Sequence, residues 1–398
     1  MRFLPAALLF SLLAITPAFS QLTLSNWDNV LEISGLLSVI YNTRYLPASE
    51  TDHSKTYFGV NTARFKLEGR SGRNYEYQLQ MDFSRLGYNA NIGEFPAILD
   101  ANFTYKGLEI FDAQVGYGKV PYSRSNLVPF GSQPLWQRGE IARGYIFSRR
   151  DVGVKLSKDF WQQRIMLQGG VYSGQGEQIL TSVTGGDNDP SGTFEYIGRA
   201  DISWPCRYRY SDVLDVNHVP VPMIAIGVNG RYVERKQSFP EGISDFDLKV
   251  VAGKRSSIGF DVAAQYQGFS ALFEMHQITI HPDSNEFSNS KPLLQGKQTD
   301  YFRIGGVIAQ LAYYNRKIKS GFIVRYDELN PNDLIPDNTD RAFCYGYNFL
   351  LNGFKSIIRI QYWQRVGPWK DGGFTSVRDY PNVKRQDNQL RIGWQYAF

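Results

Sequence analysis

Residues Gln389–Phe398 read QLRIGWQYAF, and they alternate without a break. Leu390, Ile392, Trp394, Tyr396 and Phe398 are apolar, while Gln389, Arg391, Gly393, Gln395 and Ala397 are polar or small. Successive side chains of a strand point to opposite faces, so this segment has one greasy face and one wet face. An open soluble sheet can hold one such strand. Recurrence along the chain is what decides the class.

The pattern recurs. Tyr75, Tyr77, Leu79, Met81 and Phe83 alternate with Glu76, Gln78, Gln80 and Asp82. Ile258, Phe260, Val262, Ala264 and Tyr266 alternate with Gly259, Asp261, Ala263 and Gln265, and Ile358, Ile360 and Tyr362 with Arg359 and Gln361. Segments of about ten such residues separated by turns mark a barrel that turns its apolar face to lipid. A soluble β-sandwich also alternates, but its core is limited, and here nearly every strand offers a full apolar face with aromatics near its ends. Sixteen strands are predicted, at 30–45, 56–70, 73–84, 98–106, 109–119, 150–158, 163–173, 193–204, 222–235, 254–267, 269–280, 298–314, 318–328, 339–351, 354–366 and 387–398. Connections after odd-numbered strands are long, and those after even-numbered strands are mostly tight, as at Ser71-Gly72, Gly268 and Asn352-Gly353. That asymmetry is how outer-membrane barrels are built. One connection breaks it: Pro205–Val221, PCRYRYSDVLDVNHVPV, is long on the short side. Either a small inserted element sits there or the count is off by two strands. The expected fold is all-β, a transmembrane antiparallel β-barrel of sixteen strands with long extracellular loops and an inward-folded third loop.

Residues 1–20 carry a basic Arg2, an apolar run from Leu4 to Ile15, and small residues at Ala18 and Ser20. This is the pattern of a secretory leader, exported through the Sec pathway, which leaves 21–398 as one porin-like barrel domain in the outer membrane of a Gram-negative-type cell. No later run approaches the roughly 18 apolar residues of a spanning helix, and lipid then leaves a closed barrel as the way to cross. The net charge of +5 is too small to suggest a nucleic-acid partner; what matters is where charge clusters. No cofactor and no catalytic site are expected, because none of the four histidines belongs to a metal or triad arrangement. Gly185–Pro190, GGDNDP, offers oxygen ligands for Ca²⁺, but Asx residues in a turn explain it as well. An exported protein can hold a disulfide, yet Cys206 and Cys344 lie in different predicted elements, which favours two unpaired thiols.

Charge clusters in Lys119–Arg150, KVPYSRSNLVPFGSQPLWQRGEIARGYIFSRR, the longest predicted connection. Lys119, Arg124, Arg138, Arg143, Arg149 and Arg150 stand there against Glu140 alone. These six are the candidate pore constriction, since rings of Arg or Lys lower the barrier for a partly dehydrated anion. Arginine adds a planar fork suited to carboxylate or phosphate oxygens. The alternative is that several pair with wall carboxylates and only pin the loop. Strand parity assigns Arg64, Lys66, Lys155, Arg164, Arg303, Arg325, Arg359 and Arg391 to the lumen wall, with acids that include Asp82, Asp151, Asp261, Glu274 and Asp327. Facing lipid, each such arginine would cost ~2–4 kcal/mol near mid-membrane.

Several pieces of this chain resemble the phosphate-selective porin O/P family. Asp112–Ser123, DAQVGYGKVPYS, looks like that family's strand followed by G-x-(F/Y)-x-x-P-F-S. Arg150–Leu156, RDVGVKL, resembles the R-D-(I/V)-G-V strand after its third loop, and Gly170–Gly176, GVYSGQG, its G-x-(F/Y)-N-G-x-G loop entry with Ser173 in place of Asn. Arg64–Gly69 is similar to an early R-x-x-x-x-G. The resemblance implies a trimeric sixteen-stranded barrel that passes anions or small hydrophilic solutes by diffusion. It implies outer-membrane lipid, lipopolysaccharide and the barrel assembly machinery as partners, with terminal Phe398 as the membrane-insertion signature. The resemblance does not establish phosphate as the solute: the family's clusters hold both arginine and lysine, this loop has Lys119 alone among lysines, and the wall bears nearly as many acids as bases, so a general or weakly anion-selective porin is expected, with phosphate as a possible solute. The runner-up reading is a surface barrel whose loops bind a host or carbohydrate partner, motivated by the aromatic stretch Gly367–Tyr380.

Overall fold

The computed structural model describes residues 22–26, 28–45, 56–84, 97–142, 147–174, 193–235, 252–283, 286–287, 291–292, 299–334, 339–366 and 388–398. The leader at 1–20, Arg143, Gly185–Pro190 and Gly367–Tyr380 lie outside them.

All sixteen predicted strands are present. They are β1 (Asn29–Tyr45), β2 (Thr56–Ser71), β3 (Tyr75–Asp82), β4 (Ala97–Tyr105), β5 (Asp112–Lys119), β6 (Arg150–Phe160), β7 (Ile165–Tyr172) and β8 (Glu195–Trp204). The second half holds β9 (Met223–Arg235), β10 (Gly253–Tyr266), β11 (Phe269–Pro282), β12 (Phe302–Asn315), β13 (Ser320–Asn330), β14 (Asp340–Phe354), β15 (Ser356–Arg365) and β16 (Asn388–Ala397). Each pairs antiparallel with the next, and β16 pairs with β1, so the sheet closes on itself. Closure satisfies every ladder without leaving an edge, which is what a lipid environment demands. At the seam, the Phe398 N–H donates to Gly35 O at 3.0 Å and the Gly35 N–H to Phe398 O at 2.7 Å. The tip of the Phe398 ring occupies the space where a Cβ on residue 35 would stand, so a larger residue there makes the terminal ring move. A short strand, Leu22–Ser25, continues the seam by pairing with Val30–Ile33 of β1.

Alternation sorts the two faces of the wall. On β9, Ile224, Ile226, Val228 and Tyr232 are exposed while Ala225, Asn229, Arg231 and Val233 are buried. Around the ring the exposed set includes Phe103, Val115, Val154, Phe260, Met275, Leu311, Val324, Tyr345 and Ile360, a continuous apolar exterior. Aromatic pairs gather at the short-turn ends, Tyr75 with Tyr105 at 5.1 Å and Phe269 with Tyr313 at 4.7 Å. Such a girdle marks the boundary between hydrocarbon and headgroups.

The lumen, by contrast, is not wet throughout. Inward-facing Ile278, Ile280, Phe302, Ile304 and Ile308 on β11 and β12 are fully buried, packed against Val120, Tyr122, Ile141, Ala142 and Phe147 of the third loop. A second cluster joins Leu135 of that loop to Ala312, Ile323, Ala342, Cys344 and Trp363. The loop does fold inward, and it builds a hydrophobic core inside half of the barrel.

The exceptional connection 205–221 contributes to the same core. Its Leu214 belongs to the Leu135 cluster, and Tyr208 is buried beside Ala225 and Ala263. Buried Asp215 fixes its shape by accepting from the backbone N–H groups of Val219 at 3.0 Å and Gly268 at 2.7 Å. An inserted element therefore occupies this connection, and the count of sixteen stands. Cys206, exposed, and Cys344, buried, are both free.

A basic passage between the third loop and the wall

The third loop is stitched to one side of the lumen residue by residue. Ser123, at φ 66°, accepts from the Asn126 N–H at 3.2 Å and caps the single-turn helix α1 (Arg124–Leu127). That turn points its polar groups into β11: the Ser125 hydroxyl and N–H donate to the Glu274 carboxylate at 2.6 and 2.9 Å, and Ser123 donates to the other oxygen. Glu274 also contacts His276 Nε2 at 2.6 Å, so its desolvated carboxylate has a full set of partners. Arg124 donates to Asp261 at 2.6 Å and Asp201 at 3.1 Å, two carboxylates it shares with Arg199. Its guanidinium lies 5.6 and 5.2 Å from the rings of Tyr208 and Tyr210, which rise from the 205–221 insert.

Further along, Arg359 and Gln395 both donate to Gly131 O at 3.0 Å, and Asn348 donates to Pro134 O at 2.8 Å. The Trp136 N–H donates to Gln361 at 2.6 Å, and Arg325 donates to Gln137 O at 2.8 Å. Ile141 fills the space above Gly306, where a Cβ would clash. These contacts run from β8 round to β16, so the loop hugs that side and leaves the space against β2–β6 open.

The open space is a cavity of about 730 Å³. Seven basic residues line it, Arg64, Lys66, Lys119, Arg138, Arg149, Arg150 and Lys155, against Asp82 and Asp100. Arg64 pairs with Asp82 at 2.9 Å, Arg150 with Asp100 at 3.2 Å, and Lys66 with Glu68 of the adjoining strand face, and bases still outnumber acids on the cavity wall seven to two. Lys119 Nζ donates to the carbonyls of Leu127 and Val128 at 2.9 and 3.0 Å, and Arg138 to that of Val128 at 2.8 Å. Toward the short-turn end a second cavity, about 470 Å³, shares Gln78, Asn102 and Gln114 with the first. Its charged lining is Glu32, Glu68, Glu76 and Arg70, so the sign reverses along the path.

Of the six candidate constriction residues, Lys119, Arg138, Arg149 and Arg150 come together at this cavity. Arg124 does not. It is 3% exposed and serves as a pin between loop, wall and insert, the alternative that the sequence left open. Arg143 lies outside the described residues. Among the wall candidates, Arg64, Lys66 and Lys155 line the same cavity, Arg325 and Arg359 hold the loop, and Arg391 donates to Asn42 at 2.8 Å.

Two wall assignments are corrected. Arg303 is exposed on the outer side of β12, because its neighbours Phe302 and Ile304 are the buried, inward pair. Arg164 belongs to the turn after β6, where its guanidinium lies 5.4 and 5.5 Å from the exposed rings of Trp161 and Trp204. That is cation–π packing in the aromatic girdle. Sequence reasoning also missed Arg199 and Asp201, although the alternating Glu195, Arg199, Asp201 and Ser203 carry the signal of an inward polar face. Asp100 was legible in the same way, two residues before Asn102 on β4.

Residues 41–221 match the family model of phosphate-selective porins O and P. No curated protein matches the sequence. Among solved structures, the fold is similar to OmpT, an outer-membrane protein of Vibrio cholerae, at a TM-score of 0.58 and 9% identity, covering 95% of this chain and all of that one. OmpF of Salmonella typhi, in complex with daunomycin, aligns at 0.58 and 11% identity over 95% of this chain and all of its own. The outer-membrane channel DcaP of Acinetobacter baumannii aligns at 0.54 and 12% identity, over 94% of this chain and 99% of its own. At those identities the likeness concerns the fold. Together with the closed ring and the apolar exterior, it gives this chain the fold of an outer-membrane porin barrel, and residues 41–221 of that barrel match the phosphate-selective porin O and P family model.

Proposed function

We propose that the channel prefers anions, and that the passage between the third loop and β2–β6 sets the preference. The observation that carries this reading is the count of seven basic residues against two acidic ones around one cavity. A basic ring raises the local concentration of anions and stabilises them as they shed part of their water. Arg138 and Arg149 come from the loop, Lys119 and Arg150 from the strand ends that flank it, and Arg64, Lys66 and Lys155 from the wall. Passage in this reading is by passive diffusion through the lumen. In the same reading residues 1–20 are removed on export, the mature chain assembles as a homotrimer, and Phe398 presents the chain to the assembly machinery. Lipopolysaccharide surrounds the outer half of the barrel.

Reversal potentials of the purified protein in planar bilayers under a salt gradient test the preference directly. Chloride is expected to be more permeant than potassium, and the ratio to fall when Arg138 and Lys119 are replaced by alanine. A wild-type channel that favours potassium would overturn the reading.

A further inference from the structure

The basic passage has an apolar rim. Leu127, Pro129 and Phe130, where the helical turn of the third loop gives way to its next turn, line the same cavity as the seven basic residues. Pro129 is exposed, and Leu127 and Phe130 are half-buried, so their surfaces meet the solvent of the lumen. The Arg64 guanidinium stands 4.5 Å from the centroid of the Phe130 ring. The carbonyls of Leu127 and Val128 hold Lys119 Nζ, and that of Val128 also holds Arg138. Three positive charges and an apolar ledge thus lie within a few side-chain lengths of one another.

A wall of that kind treats anions unequally. A small inorganic anion is strongly hydrated and gains nothing from apolar surface; beside it, the ion only loses water. An organic acid with an apolar body gains twice. Its carboxylate accepts from the guanidinium and ammonium groups, while its body covers Phe130 and Leu127 and takes their surface out of water. A cavity of about 730 Å³ lies within the range that takes small organic ligands.

Resting on the anion preference argued above, we propose that the passage favours aryl carboxylates over hydrophilic anions of the same charge, with Phe130 as the residue that discriminates. Burying one face of a ring, ~55 Å² at ~25 cal/mol/Å², corresponds to a roughly tenfold difference in apparent affinity, or ~1.4 kcal/mol. That is weak enough for the solute to leave, as conduction requires.

Chloride current through the full-length protein in planar bilayers provides the test, with benzoate, acetate and phosphate added in turn. Benzoate is expected to halve the current at a concentration roughly tenfold lower than acetate. In Phe130→Ala the gap is expected to shrink to threefold or less, and in Phe130→Leu, which keeps an apolar side chain, most of it remains. Equal block by benzoate and acetate in a chloride-preferring wild type would overturn the proposal, as would an undiminished gap in Phe130→Ala. The chloride-to-potassium ratio, read in the same records, separates this failure from that of the anion reading: potassium preference would sink both.

Discussion

Reversing one charge in the passage should move ion selectivity by an amount that can be worked out in advance. Arg138 reaches the cavity from the loop, where its guanidinium is held on Val128 O. An ion that passes about 6 Å from a unit charge in a water-filled space feels ~0.7 kcal/mol. Arg138→Glu changes the charge by two, so the barrier for an anion rises by ~1.4 kcal/mol and that for a cation falls by as much, a relative change of ~2.8 kcal/mol before salt screening reduces it. The chloride-to-potassium ratio should therefore fall by tenfold or more at low ionic strength. With a Debye length of about 10 Å at 0.1 M and about 3 Å at 1 M, most of the effect should vanish in concentrated salt. The control is Arg303→Glu, which makes the same charge change on the outer side of β12 and should leave the ratio where it was. Reversal potentials at the two salt concentrations decide the matter. If Arg138→Glu leaves the low-salt ratio unchanged, or if Arg303→Glu shifts it equally, the passage is not the path of the ions.

Other expectations rest on the stitching of the lumen. Arg124→Ala leaves Asp201 and Asp261 with the one guanidinium of Arg199 between them, besides the Tyr210 hydroxyl on Asp201, and breaking a buried pair of this kind costs about 3–5 kcal/mol; the heat-induced mobility shift of the barrel on gels should move to a lower temperature. Gly35→Ala displaces the Phe398 ring from its seat over the seam and should lower the heat-modifiable fraction less than deletion of Phe398 does, since the ring can swing aside while the deletion also removes the two backbone hydrogen bonds to Gly35. Replacing residues 208–214 by a Gly-Ser linker of equal length removes Tyr208, Tyr210 and Leu214 from beneath the loop, so single-channel conductance should rise; an unchanged conductance would show that the insert does not limit the bore. Maleimide should label exposed Cys206 in the folded protein and reach buried Cys344 only after unfolding.

The barrel was legible in the sequence because lipid enforces alternation. Wherever one face meets hydrocarbon and the other meets water, as on β3 or β16, period two survives and gives both strand and side. The exceptions share one physical cause. On β12 the inward residues Phe302, Ile304 and Ile308 pack against the loop rather than against water, so both faces are apolar and parity loses its meaning. Arg303 was placed on the wrong side for that reason. Arg164 failed differently: it stands in a turn, where the alternation of β7 no longer dictates direction. For the loop, local charge excess announced a basic constriction but not which of its arginines would reach solvent. That depends on Asp201 and Asp261, carboxylates about 75 and 135 residues further along, which capture Arg124 and leave Arg138 and Arg149 to the cavity. The apolar rim of Leu127 and Phe130 went unread because a leucine and a phenylalanine in a loop look like ordinary packing until the loop's exposed edge is known.

The two segments that meet inside the barrel enter it from opposite ends, and this separates two design problems that a bare cylinder would join. Strand number and tilt set the circumference seen by the bilayer, whereas the clearance left for cargo depends on how much filling is threaded into the hole. Lengthening, trimming or recolouring the filling can redirect what the molecule admits while its membrane footprint and its terminal clasp are inherited unchanged.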